Sequence, residues 1–486
     1  MAPTTYGLGW DGGLNGLAAN PIWTEEPDLT VMEQICREKL NLAAEEKCEI
    51  RPLGKGAGNK VYEVVMDDAS VIMRVALPLD PEKVVNEVVT MQFVAEKTTI
   101  PVPQVINFDT SNDNALCFPW ILMTKAEGTS LGPIWRSMSL ERKKKIIIQL
   151  ADVQTQLARS TTFTSIGGLD VLPEDESQYC LTRMTADTCH LPNRVSPTTL
   201  GPHSTSEAWI RARLELFKWR LALGDPPPAK TSTQKSPQRM MWESQEADRI
   251  FDFLPGCYAS SSPETTTLFH SDLHPGNIFV DENDTITSIL DWEFLITAPG
   301  WMSHGLPKLL ITRDRQVAPE RRRYYLPEIG PGEREFDSNN WVAMAYHRDV
   351  EEYHTSFLRP IFIEEMERLT PGWRGVYEAT KFHRVLEDHV DSLERSLEIG
   401  GVAGWPEAYE GEGKVPVGDE EWPKVWEDTP CVLFAGFLGA EDDDEEDENM
   451  NTGAVADEVA ASVVKEPGED HYLAEGSKGR GCQKGL

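Results

Sequence analysis

The stretch His270-Ser271-Asp272-Leu273-His274-Pro275-Gly276-Asn277, followed fourteen positions after its asparagine by Asp291, constrains this chain more than any other feature. Asn277-Ile278-Phe279-Val280 has the character of a short strand and Thr285-Ile286-Thr287-Ser288-Ile289-Leu290 that of its partner, with Asp281-Glu282-Asn283-Asp284 as the turn between them. In an antiparallel hairpin the first residue of one strand lies beside the last of the other, so Asn277 and Asp291 are expected to meet. One amide oxygen and one carboxylate facing a single point suit Mg²⁺, which takes oxygen ligands and keeps its other positions for water and substrate phosphates. Asp272, on the loop entering the hairpin, can approach a substrate hydroxyl without ligating the metal. The pattern predicts phosphoryl transfer.

A second triplet, His347-Arg348-Asp349, spells the protein-kinase catalytic sequence more literally, but His354 stands where the asparagine belongs and no strand follows. The segment 345–354 reads as a polar helix with the triplet on a solvated face.

Composition narrows the partners. The formal charge of −34 argues against nucleic acid or an anionic membrane, because like charge repels phosphate, and favours a cationic small molecule. Part of the acidity is local: residues 441–448 are all Asp or Glu, a run that cannot pack and is expected to be a disordered tail. No Cys-x-x-Cys pair occurs among the eight cysteines, so reduced thiols in a cytoplasmic protein are the simplest account. The first thirty residues lack a secretory pattern, and the longest apolar stretch, Cys431 to Ala440, is too short to span a bilayer.

Upstream, Glu49-Ile50-Arg51-Pro52-Leu53, a glycine-rich loop over 54–60, Val61-Tyr62-Glu63-Val64-Val65-Met66 and Val71-Ile72-Met73-Arg74-Val75-Ala76 read as strand, loop, strand, turn, strand. Gly54, Gly56 and Gly58 would let backbone N–H groups approach phosphate oxygens; an ordinary hairpin is the bland alternative. The Gly-x4-Gly-Lys-Ser/Thr phosphate loop fails, since Asn59 and Val61 stand where a glycine and a hydroxyl belong. Pro81 to Lys97 reads as a helix capped by Asp80 and carrying Glu87. Arg74 and Glu87 are the pair expected to hold the nucleotide phosphates, with a structural ion pair as the alternative. Cys117 to Thr124 is a further strand, Gly128-Thr129-Ser130 a flexible connection, and Ser139 to Arg159 a helix with Ile147, Leu150, Val153 and Leu157 at core spacing. Between 176 and 268 only Ser206 to Ala222 looks helical, and the rest reads as surface insertion. Asp349 to Leu369 and Glu378 to Ile399 read as amphipathic helices.

These residues resemble the fungal branch of the aminoglycoside phosphotransferase-like enzymes, through Asn20-Pro21-Ile22-Trp23-Thr24, Ile100-Pro101-Val102-Pro103, Trp120-Ile121-Leu122-Met123, the segment 269–278 and Ile289-Leu290-Asp291-Trp292-Glu293. The resemblance runs from about Pro21 to about Trp422. It implies an α+β, protein-kinase-like fold of two lobes, the first small and β-rich, the second larger and mostly helical. It also implies transfer of the γ-phosphate of ATP or GTP to a small-molecule hydroxyl. Asp272 is then the base and Asn277 and Asp291 hold magnesium, while Gly54, Gly56, Gly58, Arg74, Glu87 and Met123 line the nucleotide site. His270 supports the loop. The chain departs from the pattern at Arg74, where better-known members carry lysine, and at Gly58, where a bulky residue is expected. A nucleotide-binding protein without catalysis and a protein kinase are the rival readings. Against the second stand Ser271 and Asp291-Trp292-Glu293, where an arginine and Asp-Phe-Gly belong. The organisation expected is an N-terminal extension (1–30), a nucleotide lobe (31–130), a catalytic and substrate lobe (131–430, with the insertion near 176–268) and the tail (440–486).

Overall fold

Burial along Asn59–Val65 alternates residue by residue, as it does in a strand whose two faces both meet protein. The computed structural model describes residues 6–11, 20–56, 58–160, 163–185, 200–222, 237–258, 264–321 and 341–398. The N-terminal lobe runs β1 (Leu8–Asp11), β2 (Asn20–Trp23), α1 (Leu29–Leu40), β3 (Glu49–Lys55), β4 (Asn59–Val65), β5 (Ser70–Ala76), α2 (Pro81–Lys97), β6 (Val105–Asp109) and β7 (Trp120–Thr124). Five of these strands form an antiparallel sheet in the order β3-β4-β5-β7-β6.

Strand alternation sorts the sheet's side chains. Tyr62, Val64, Met73 and Leu122 face outward to Met32 and Cys36 of α1 and to Trp23. Ile72, Ala76, Ile121 and Met123 face Val84, Val88 and Met91 of α2. Arg74 shares parity with Ile72 and Ala76, so the strand period aims it at α2. Trp23 lies 5.3 Å from Phe118 and under the Lys60 ammonium, which also pairs with Glu26; the segment read as an extension therefore packs on the sheet. The start of α2 is fixed by Asp80, whose carboxylate accepts from the Glu82 N–H at 3.0 Å, with Pro81 at the first helical position. Arg183 grips the same carboxylate at 2.7 Å, and Asn86 donates to the Leu169 carbonyl at 2.9 Å, so the second lobe holds this helix in place.

The second lobe continues with β8 (Thr129–Ser130), α3 (Leu131–Ile134), α4 (Leu140–Ser160), β9 (Gly168–Leu172), β10 (Asp175–Thr182), α5 (Ser206–Ala222), α6 (Pro237–Cys257), β11 (Thr266–Phe269), β12 (Ile278–Val280), β13 (Ile286–Ile289), β14 (Ile296–Pro299), α7 (Trp341–Leu369), α8 (Trp373–Ala379) and α9 (Lys381–Glu398). Ile147, Leu150, Val153 and Leu157 of α4 are buried in one core with Leu358, Phe362 and Met366 of α7 and with the α2 face of the sheet. A second core joins α5, α6 and α9 through Phe217, Ile250 and Val390. Among the described residues, no helix is long and apolar enough to cross a membrane.

Several expectations change. The interval 176–268 is not surface insertion where it is described: α6 buries Ala247, Ile250 and Leu254 at helical spacing, and β10 pairs with β9. Gly128 is no flexible connector. It has φ +89, and a Cβ there would meet the Val280 carbonyl oxygen at 2.3 Å, because β8 pairs with β12. Gly54 belongs to β3 opposite Val61 rather than to a loop. The strand expected from Cys117 begins at Trp120, since Cys117 has a left-handed φ of 62. The helix expected over Glu378–Ile399 breaks at Thr380 into α8 and α9. Asp349 lies on a helix but not on a solvated face: it is 5% exposed and pairs with Arg315 at 2.9 Å and Arg348 at 3.1 Å. The acidic tail, the Cys431–Ala440 stretch and the Pro-rich patch 225–233 lie outside the described residues.

Candidate active site

A hairpin, β12–β13, set in the chain between the paired strands β11 and β14 builds the centre. β11 pairs with β14 so that Phe269 faces Ile296, and β12 pairs with β13 so that Ile278 faces Ile289. The loops 270–277 and 290–295 therefore run side by side between them. The Leu290 N–H donates to the Asn277 carbonyl at 2.8 Å, which sets Asn277 against the start of the Asp291 loop. His270 ties the loops again. Its Nε2 lies 3.1 Å from the Leu290 carbonyl, which can only accept, and its Nδ1 accepts from the Asp272 N–H at 3.3 Å. Burial holds the imidazole neutral, with its pKa pushed down to about 4.

Asp272 is then surrounded by donors. Asn277 Nδ2 donates to its carbonyl at 3.1 Å and reaches its Oδ2 at 3.4 Å, Lys308 Nζ donates to its Oδ1 at 2.7 Å, and His274 Nε2 stands 3.4 Å from Oδ2. Burial alone would push this carboxyl up. The Lys308 ammonium, with His274 beside it, holds it below the usual aspartate range. Asn277 uses its amide nitrogen on Asp272, and among the described residues its amide oxygen accepts no hydrogen bond. Asp291 has a left-handed φ of 64, and Phe294 one of 60, a conformation uncommon for such side chains and concentrated at functional loops. Burial, reinforced by the Glu293 charge, raises the Asp291 carboxyl, while the Arg74 guanidinium 3.8 Å away offsets part of that rise. Trp292 between them is buried, donates to the Ile289 carbonyl at 2.8 Å and packs against the His270 ring.

From the first lobe, Arg74 reaches Glu87 with one arm of its fork and Glu293 with the other. Glu293 also takes Asn59 Nδ2 at 3.0 Å and Lys83 Nζ at 3.3 Å. Burial works against its charge, but Arg74, Lys83 and Asn59 hold it ionised. Gly56 N–H donates to the Asn59 carbonyl at 2.8 Å and closes the turn. A Cβ added at Gly54 would meet nothing within 4 Å, and one at Gly56 only the Asn59 carbonyl at 3.7 Å, so the protein's own packing does not require glycine at either place. Met123 is buried between Ile72 and Val105 on β7.

Asp272, Asn277, Asp291, Arg74 and Glu87 thus form one connected group. Lys83, Glu293, Lys308 and Asn59 join this group through the contacts above, and none of the four carries a role in the expectations from the sequence. Lys83 sits one helical turn before Glu87, a spacing that was readable, and Glu293 was part of the quoted Asp-Trp-Glu. Lys308 arrives from a turn beyond β14 and left no local signal.

The family model described as the phosphotransferase enzyme family matches residues 49–335, more than half of the chain. The chain belongs to the phosphotransferase enzyme family. Its fold is correspondingly α+β and protein-kinase-like, a small sheet-rich lobe followed by a larger helical one. Within the family's wider kinship, it is 24% identical over 316 residues to a subtelomeric hrmA-associated cluster protein of Aspergillus fumigatus, which covers 53% of this chain and 60% of that one. It is 25% identical over 274 residues to the clavilactone A biosynthesis cluster protein Y of Ampulloclitocybe clavipes (52% and 62%). It is 22% identical over 307 residues to the altered inheritance of mitochondria protein 9, mitochondrial, of Clavispora lusitaniae (54% and 50%). The chain spans between half and two-thirds of the length of these curated relatives. Among solved structures, it is similar to the gentamicin–APH(2")-IIa complex, with 11% identity, TM-score 0.42 and coverage of 77% and 92%. A thermostable mutant of the aminoglycoside phosphotransferase APH(4)-Ia matches with 14% identity, TM-score 0.38 and coverage of 75% and 98%.

Proposed function

We propose that this member of the family is an ATP-dependent phosphotransferase that moves the γ-phosphate to a hydroxyl of a small molecule, with Asp272 as general base and Asn277 and Asp291 as magnesium ligands. GTP is the other donor compatible with the site. The observation that carries the reading is the side-by-side course of the loop bearing Asp272 and Asn277 and the loop bearing Asp291, with the Asp291 carboxylate 3.8 Å from Arg74.

Magnesium fits the residues present. Among the described residues, no three His, Cys, Asp or Glu side chains are grouped to hold a metal unaided. Two protein oxygens completed by phosphates and water are the usual arrangement for this ion. Asn277 offers an unused amide oxygen, and Asp291 a carboxylate that makes no hydrogen bond among the described residues and whose charge burial and Glu293 disfavour. A cation would relieve that. When bound, magnesium neutralises charge on the transferring phosphates.

The chain's own residues supply the rest. Arg74, oriented by Glu87, grips phosphate oxygens, and the open backbone at Gly54 and Gly56 allows their close approach. Asp272, its carboxyl held below the usual range by Lys308, accepts the acceptor's hydroxyl proton as the hydroxyl oxygen bonds to the γ-phosphorus and the bond to the bridging oxygen breaks to release the nucleoside diphosphate, while His270 fixes the loop that carries the base. The overall acidity favours a cationic acceptor such as an amino alcohol. The free cysteines Cys36, Cys48, Cys117, Cys180 and Cys257 fit a reducing compartment such as the cytoplasm.

A thermal-shift titration with ATP, GTP and Mg²⁺, run beside Asp291→Ala, tests the reading, since a ligand that binds only the folded state raises its melting temperature. A magnesium-dependent shift lost in the variant is expected. No shift at millimolar nucleotide would transfer the weight to the non-catalytic alternative.

A further inference from the structure

Lys83 is placed where a lysine is electrostatically unwelcome. It lies in the first turn of α2, where the helix dipole disfavours a cation, and its side chain is only 3% exposed. Burying an ammonium is costly unless charge or dipoles answer it. Here the answer comes from the cleft: Glu293 Oε2 lies 3.3 Å away and the Phe294 ring centroid 4.9 Å away. The glycine turn is fitted to the same ammonium. A Cβ added at Gly58 would stand 3.1 Å from Lys83 Nζ, tighter than ordinary contact, so the absence of a bulky residue at 58 leaves room for the charge.

The second observation concerns what that ammonium converges on. A single oxygen, Glu293 Oε2, receives the Arg74 guanidinium, the Lys83 ammonium and the Asn59 amide. These donors come from three elements of the first lobe, the paired strands β4 and β5 and the helix α2, and Gly58 lies beside the same ammonium. Three converging donors around one anionic oxygen are the geometry of an anion receptor. The Arg74 fork gives it a feature that a lysine in that strand would lack, because one arm stays on Glu87 while the other serves the receptor.

We propose that Lys83 and Asn59 complete, with Arg74, a receptor for the nucleotide's phosphate oxygens, and that the Glu293 carboxylate occupies the place of a phosphate oxygen until the nucleotide displaces it. The inference rests on the phosphotransferase reading and extends it by naming Lys83 as a phosphate-binding residue and Glu293 as a placeholder that tunes nucleotide affinity. It also accounts for both departures from the family pattern: arginine at 74 and glycine at 58 belong to one rearranged phosphate grip.

Calorimetric titration of the full chain with ATP and, separately, with adenosine in the presence of Mg²⁺ tests this. Lys83→Met is expected to weaken ATP by about tenfold or more, the scale of one lost charge-assisted contact, and to leave adenosine within about twofold. Lys83→Met strands Glu293 beside fewer cations and can fail to fold, so Lys83→Met/Glu293→Gln is compared with Glu293→Gln alone; the same loss of about tenfold is expected. Glu293→Gln by itself is expected to bind ATP more tightly than the unaltered protein, because the competing charge is gone. Equal ATP affinity with and without Lys83, in a protein that does bind ATP, would make Lys83 a mere counter-ion and overturn the proposal while leaving the phosphotransferase reading intact. Weaker binding by Glu293→Gln would overturn the placeholder role. Absence of ATP binding by the unaltered protein would remove the parent reading and this one together.

Discussion

The two sides of the candidate site are built on opposite electrostatic terms. On the first-lobe side, Arg74 and Glu87 leave 11% and 4% of their side chains exposed, and their partners Lys83 and Glu293 are equally withdrawn from water. On the other side, Asp272 and Lys308 are 37% and 55% exposed. Charges of the first kind are little screened, organised in advance and expensive to unpair; charges of the second kind are screened by salt and rearrange at little cost. The contrast matches the two tasks proposed for the site. A polyphosphate brings the same charge every time and is served by a fixed receptor, whereas a hydroxyl acceptor needs a base that solvent and substrate can reach.

Two substitutions would break this comparison most forcefully. Asp272→Ala removes the group proposed to take the acceptor proton, and turnover is expected to fall by about 10²- to 10⁴-fold with the ATP-induced thermal shift retained. Comparable turnover in the variant would end the assignment of Asp272 as base. Arg74→Ala should act on stability, because Glu87 and Glu293 are left buried without their shared cation. A loss of roughly 3–5 kcal/mol is expected, read from the urea unfolding midpoint at unchanged slope. A loss no larger than that of a surface pair would show the first side to be as loosely built as the second.

What could be read in the sequence follows the same division. Short-range signals gave the hairpin of β12 and β13, from two apolar runs and an acidic turn, and the start of α2, from Asp80 and Pro81. They also brought Arg74 and Glu87 together, since a strand and the helix after it have few ways to pack. The contacts of Lys308 arise only because the chain returns past β14 to the 270–277 loop, and no local pattern encodes that return. Glu293 was visible as a residue but not as a partner, because one arginine serving two carboxylates is a property of assembled geometry. α6 was hidden for a different reason. Its apolar spacing at Ala247, Ile250 and Leu254 is present, but the Pro- and Ser-rich patch before it drew the stretch after Ala222 into the reading of surface insertion.

An intermediate effect concerns acid. His270 is buried and neutral, its pKa depressed from 6.5 to about 4, whereas in the unfolded chain it takes up a proton near 6.5. The folded form therefore keeps its full stability above about pH 6.5 and loses it as pH falls toward 4, by roughly 3 kcal/mol from this group. His354, lowered to about 4 by burial and by the Lys143 charge, adds to the same window. Chemical denaturation between pH 7 and pH 4 should show that decline, and a shallower one in His270→Gln. An identical slope in the variant would mean that the joint between the two loops is not the acid-sensitive element of the site.

The smallest effect is expected from Lys308→Ala, and it separates the two sides most finely. Lys308 holds the Asp272 carboxyl below its usual range against the opposing pull of burial. A base acts in its ionised form, so activity is lost as pH falls through the Asp272 pKa. Without Lys308 that pKa rises, and the acid limb of the kcat/KM profile moves to higher pH. At neutral pH the carboxyl is ionised with or without Lys308, so the rate there should change little. Added salt should produce a weaker version of the same displacement in the unaltered protein, because the pair is exposed and screened, and should leave ATP affinity less affected because the receptor around Arg74 is not. A large loss of rate at neutral pH in Lys308→Ala, with the acid limb unmoved, would instead mean that Lys308 itself contacts the transferring phosphate, and the exposed side would then share the nucleotide-binding task assigned to the buried one.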